Sequence, residues 1–369
     1  MMQDMPAVRG DSQFPTIPTL RVRATGDAGG SRRSFLLAAA AASAGLSLRG
    51  SEARADAGPL AEVSGTQHWT VKRAGSDNVK LFLWRKQLKN RVGGGSSDMG
   101  TGTILFVHGS SVSATPVFDL QIPGRPETST MDWFARRGYD TWCVDCEGYG
   151  RSDKSRPVNA DVSCGADDLA AASEYILKQS NRKLLLYGAS SGALRAGLFA
   201  QRHPERVERL ALDALVWTGD GSPTLAERKK RLEEYRATNR RPIDRAFVRS
   251  IFTRDHPDTS DLTVVEAFAD AVLALDKSVP TGTYIDMSAN LPVVDPEKIP
   301  VPVLIMRGQW DGIASFQDLA NFFARLPNPD KQFVVMPGIA HTSTRSKNWG
   351  LVYHLLDAYF SQPAPVYTG

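Results

Sequence analysis

Between an apolar run at 184–187 and an amphipathic one from 192 onward, the chain reads Gly188-Ala189-Ser190-Ser191-Gly192. A serine carried on a sharp strand-to-helix turn sits in a strained backbone conformation, and the residues two before and two after it approach closely. Glycine at 188 and 192 removes that clash for Ser190, whereas Ser191 has Ala189 and Ala193 at the same offsets. Ser190 is therefore the candidate nucleophile, and Ser191 supplies the backbone N–H that follows it.

A hydroxyl attacks only when a base takes its proton. Of the six histidines, His341 alone follows a late apolar strand, in the loop Pro337-Gly338-Ile339-Ala340-His341. That is the C-terminal edge where parallel sheets collect their ligands. His108 follows a buried strand and reads as a loop organiser, and His203, before Pro204, as a surface turn. His68 lies in the first strand, His256 beside Pro257 and His354 in the last helix. The imidazole needs an acid to fix its tautomer. Asp311 directly follows the preceding strand, thirty residues before His341; Asp213, after the strand near 207–212, is the alternative and Asp286 a weaker third. A tetrahedral intermediate needs two convergent donors: the Ser191 N–H and one from the loop His108-Gly109-Ser110-Ser111, with Ser110 preferred to Ser111.

The elements that must hold these residues alternate. Two outer strands around 68–73 and 79–88 are followed by a wholly apolar strand at 103–107, a helix at 129–137 ending on Gly138, and a strand at 139–148. Then come helix 165–179, strand 183–189, helix 191–202 and a strand from 207. The rhythm breaks at 218–298, where charged helical stretches appear without an apolar strand, and resumes with a strand within 301–311, helix 315–326, a strand within 331–341 and helix 348–360. Alternating strand and helix predicts an α/β fold, a mostly parallel central sheet with helices on both faces. Residues 218–298 read as an inserted helical lid dividing the core into 56–217 and 299–369. The lid's apolar positions, Phe247, Ile251, Phe252, Phe268, Val272 and Leu273, either pack within it or touch a substrate.

The first 55 residues read as an export signal. Arg32-Arg33 precedes Ser34-Phe35-Leu36 in the twin-arginine order, and Ala53-Arg54-Ala55 offers a cleavage site that makes Asp56 the first mature residue. The apolar stretch 35–48 is shorter than the ~20 residues that span a bilayer. Seven of the chain's 44 basic and four of its 40 acidic residues fall in 1–55, which leaves a net charge of +1 beyond it. That balance gives no electrostatic case for nucleic acid or an anionic membrane as partner. A periplasmic or secreted location is expected, with the twin-arginine machinery as the precursor's partner. Cys143 and Cys146 lie three apart in a strand and point to opposite faces, so their C-x-x-C spacing is not a redox motif. Cys146 and Cys164 either bridge two loops or stay as thiols. The sequence holds no H-E-x-x-H and no glycine loop that opens a helix, so no metal or cofactor is expected.

With HGSS, DCEGYGRSD, GASSG, GQWDG and GIAH in that order, residues 66–360 resemble the α/β-hydrolase superfamily. The resemblance implies that Ser190, Asp311 and His341 form a catalytic triad with Ser110 and Ser191 as the oxyanion hole. A serine at the elbow argues against the dehalogenase and epoxide hydrolase branches, which use aspartate there. One departure stands out: Glu147 occupies the position of the arginine in the family's D-x-R-G-x-G-x-S loop. The expectation is a serine hydrolase that cleaves small-molecule carboxylic esters through an acyl-enzyme. One alternative is an aminopeptidase or amidase whose lid carboxylates, Glu227, Glu233 or Glu234, hold a free amine. Another is a catalytically silent binding protein.

Overall fold

The computed structural model describes residues 60–89 and 101–367. The export segment, its cleavage site and the glycine-rich stretch 93–100 lie outside the described residues. The strands are β1 (Val63–Ala74), β2 (Asp77–Leu88), β3 (Gly102–Val107), β4 (Tyr139–Val144), β5 (Leu184–Ala189), β6 (Val207–Asp213), β7 (Arg240–Pro242), β8 (Ser278–Pro280), β9 (Val303–Gly308) and β10 (Lys331–Met336). Eight of them form one sheet in the order β1-β2-β4-β3-β5-β6-β9-β10. The β1 and β2 strands are antiparallel, as is β2 to β4, and the remaining pairs are parallel.

The inner strands are apolar throughout because both faces of the sheet are covered. Period-two alternation sends neighbouring residues to opposite layers. Leu105, Val107, Leu184 and Leu186 pack with α3 (Val162–Ser180) and α4 (Ser191–Arg202). Ile104, Phe106, Leu185 and Tyr187 pack on the other face. There they meet α1 (Ala114–Phe118), α2 (Thr130–Ala135) and the C-terminal α11 (Trp349–Phe360). The α3 helix starts three residues before the expected 165, because the Asp161 side chain accepts the Cys164 N–H as an N-cap.

Residues 218–298 leave the sheet between β6 and β9. They form α5 (Pro223–Lys229), α6 (Leu232–Ala237), α7 (Arg245–Thr253), α8 (Leu262–Leu275) and α9 (Gly282–Ile285). The short pair β7 and β8, which the sequence pattern does not reveal, joins antiparallel inside this insertion. Each of these strands is three residues long and contains proline, so tertiary pairing rather than propensity forms them. The helix after β9, α10 (Phe316–Arg325), joins the α3/α4 layer through Leu319 and Phe322. No helix among the described residues is long and apolar enough to cross a membrane.

Candidate active site

Ser190 links the end of β5 to the start of α4 with φ 58° and ψ −127°, a region that residues with a Cβ rarely occupy. The turn is tight at both glycines. A Cβ on Gly188 would stand 2.4 Å from the Gly192 carbonyl oxygen, and one on Gly192 would stand 2.3 Å from that of Val107. The Ser190 N–H donates to Asp213 O at 2.9 Å, which ties the elbow to the end of β6.

His341 lies in the loop after β10, and its Nε2 is 2.9 Å from Ser190 Oγ. Its Nδ1 is 3.0 and 3.1 Å from the two Asp311 carboxylate oxygens. An ionised carboxylate only accepts, so Nδ1 carries the proton and Nε2 is left to accept from the serine hydroxyl. Asp311 is buried, which pushes its carboxyl up, but His341 and the N–H groups of Ile313 and Ala314 outweigh burial and hold it below the usual carboxylate range. Asp213, the alternative acid, does not take this place. It accepts from the Tyr187 hydroxyl at 2.6 Å and from Ser343 Oγ, and burial pushes its carboxyl up to about 6. Asp286 caps the start of α3 through the Val162 N–H and belongs to another part of the fold.

The loop after β3 is held from three sides. His108 is fully buried; its Nδ1–H donates to Gly109 O at 2.7 Å and its Nε2 accepts the Cys146 N–H at 3.0 Å. Burial, with Arg195 beside it, pushes its imidazole down to about 3, so the ring stays neutral. The sequence pattern gave no sign of Arg195, a cation inside a helix. It is wholly buried and donates to His108 O at 3.0 Å from beneath the loop. The Tyr149 hydroxyl donates to Ser110 O at 3.0 Å. Ser110 thereby lines the same cavity as Ser190 and His341. Ser191 opens α4, where a first-turn N–H has no helical acceptor.

This cavity measures about 90 Å³. Its insertion side is formed by Arg228, Ile251, Phe252, Arg254 and Phe268. Of the remaining apolar insertion positions, Phe247, Val272 and Leu273 belong to the apolar cluster that joins the insertion to Val112, Leu120 and Tyr149. No carboxylate lines the cavity. Glu227, Glu233 and Glu234 point to solvent, with side chains 61–84% exposed, and pair with Lys230, Arg236 and Arg231 respectively. A larger groove of about 640 Å³ runs beside α1 and α8. We place the site at the smaller cavity because the serine and histidine open into it.

Glu147 proves to be buried in a charge cluster behind the loop. It accepts from Lys72 Nζ at 2.8 Å and Arg156 Nε at 2.7 Å, while Lys72 also meets Asp168 at 2.6 Å. Glu147, Cys164 and Asp168 have ligand atoms close enough to share a cation, as do Asp255, Asp311 and His341. The Lys72 ammonium already supplies a positive charge to the first group, and the second is committed to the serine through His341. All three cysteines are unpaired thiols, so Cys146 and Cys164 do not bridge.

A mostly parallel sheet, helices on both faces and a serine at a strand-to-helix elbow define a serine-type α/β-hydrolase. The chain belongs to the serine aminopeptidase, S33 family, whose model matches residues 124–347. A 2-hydroxy-6-oxononadienedioate/2-hydroxy-6-oxononatrienedioate hydrolase of Burkholderia vietnamiensis is 32% identical over 130 residues, 35% of this chain. The match spans only 41% of that relative's length. Among solved structures, an E-2-(acetamidomethylene)succinate hydrolase is similar with a TM-score of 0.56 and 19% identity, covering 79% of this chain and 99% of that one. A thermophilic esterase from Thermogutta terrifontis has the same TM-score at 20% identity, covering 80% and 97%. These structural likenesses establish the fold.

Proposed function

We propose that this protein hydrolyses carboxylic esters of small molecules through an acyl-enzyme formed on Ser190. The observation that carries this reading is the hydrogen-bonded line from Asp311 through His341 to Ser190 Oγ. Ser190 Oγ attacks the ester carbonyl as His341 Nε2 takes its proton, and Asp311 stabilises the imidazolium that forms. The proton then passes to the departing alkoxide, and a water activated by the same imidazole releases the acid and restores Ser190. The N–H groups of Ser191 and Ser110 receive the oxyanion, each worth about 3 kcal/mol in the transition state.

A cavity of about 90 Å³ has the volume of roughly three waters, which favours a short acyl or alcohol group. The insertion acts as a lid that walls this cavity. The outward glutamates leave no carboxylate to receive a free amine, which favours an ester over an aminopeptidase substrate. We further place the mature protein in the periplasm or outside the cell, after export by the twin-arginine machinery and removal of residues 1–55. Cell fractionation and an N-terminus at Asp56 would support that location; an uncleaved cytoplasmic chain would refute it.

The test of the chemistry is covalent labelling of the purified protein with a fluorophosphonate, followed by peptide mass mapping. Label on Ser190 that is lost in His341→Ala is expected. Folded protein that takes no label refutes the nucleophile and leaves the silent binding protein as the reading.

A further inference from the structure

Resting on the reading of Ser190 as the reactive group, we propose that the substrate carries a carboxylate and that Arg228 binds it on the insertion side of the cavity. The charges around the pocket are unbalanced. Arg228, Arg254 and Arg345 line it, and Arg241 stands just behind. Arg254 is engaged by Asp255 at 2.8 Å, Arg241 donates to Ser111 Oγ at 2.8 Å, and Arg345 spends its two terminal nitrogens on the Thr128 and Val117 carbonyls. The Arg228 side chain has no carboxylate or hydrogen-bond partner among the described residues; its guanidinium lies 4.3 Å over the Tyr284 ring. Arg241 lies over the same ring at 4.0 Å.

The strength of the local field is visible on Tyr284. Burial pushes its phenol up, yet Arg228, Arg241, the Ser111 hydroxyl and Arg254 together bring it down to about 7. A phenol driven this far toward its anion marks a place that favours negative charge. Arg228 itself is held below the usual guanidinium range by burial, with Arg254 and Arg241 adding to this against the opposing pull of Tyr284, so an incoming anion relieves that repulsion. One uncommitted guanidinium matches one negative charge, and its planar fork suits a carboxylate. A phosphate monoester would bring a second charge with no free partner. The apolar side chains of Ile251, Phe252 and Phe268 line the same cavity as Arg228 and Ser190, which suits a short carbon chain between this carboxylate and the ester carbonyl.

Two 4-nitrophenyl esters that differ by one charge test this: the monoester of glutaric acid and the same ester with its free acid methylated. In the native protein, kcat/KM is expected to be at least about tenfold higher for the charged ester, mainly through KM, as a charged hydrogen bond warrants. Arg228→Gln is expected to bring the ratio close to one, and Arg228→Lys to restore part of it. Equal kcat/KM for the two esters, or a ratio that Arg228→Gln does not move, overturns the proposal.

A binding arm separates this failure from failure of the hydrolase reading. Glutarate is titrated calorimetrically into Ser190→Ala protein, with dimethyl glutarate as the neutral control. Saturable binding of glutarate alone, weakened at least about tenfold by adding Arg228→Gln, supports the carboxylate site even if neither ester is turned over. No glutarate binding, or tighter binding of inorganic phosphate at the same place, overturns it.

Discussion

Replacing Ser190 by glycine and by alanine tests whether the elbow is a strained turn. At φ 58° and ψ −127°, a residue with a Cβ bears about 1–3 kcal/mol of strain, which glycine does not. Both variants lose the hydrogen bond to His341 Nε2 at 2.9 Å, worth about 0.5–1.5 kcal/mol. That loss cancels in the comparison. Glycine adds about 0.4–1 kcal/mol of unfolded-chain entropy relative to alanine. Strain relief less entropy leaves Ser190→Gly more stable than Ser190→Ala by about 1 kcal/mol. Urea unfolding reads the difference as a shift in midpoint at constant slope. Both variants lack the nucleophile, so stability is measured without turnover in the comparison. A glycine variant equal to or less stable than the alanine variant would refute the strain argument.

Asp311→Asn should lower kcat by about 10⁴-fold, since the wrong tautomer of His341 is then held toward Ser190; Asp213→Asn should cost far less, and equal losses would refute the assignment of the acid. The Asp213 carboxyl rises from 3.8 to about 6 on folding, so its contribution to stability is complete below pH 3.8 and lost as pH rises through about 6. Asp213→Asn should therefore gain on the native protein between those values, by up to about 3 kcal/mol, in unfolding measured across that range. A difference that does not change with pH would sink the idea. Glu147→Gln leaves Lys72 to Asp168 and Arg156 to the exposed Asp77 alone and should cost about 3 kcal/mol; a denaturation midpoint near the native one would contradict the buried cluster.

The chain by itself determined what depends on local spacing. Two glycines flanking Ser190 specify a turn that no bulkier pair fits, and wholly apolar runs such as 103–107 specify strands covered on both faces. An early helix cap at Asp161 shifted a boundary but not an element. Choosing between Asp311 and Asp213 was beyond local spacing, because both follow parallel strands at the same sheet edge. Only the path of the loops decides that Asp311 meets His341 while Asp213 turns to Tyr187 and Ser343. Glu147 looked like a missing arginine in the sequence; folding surrounds it with Lys72 and Arg156, one from a distant strand and one from the loop that follows. The arginines around Tyr284 were equally hidden. Arg228, Arg241 and Arg254 come from separate parts of a charge-rich insertion that reads as solvated surface. Which charges turn inward depends on long-range packing, and a helical or alternating pattern does not encode it when every face carries a charge.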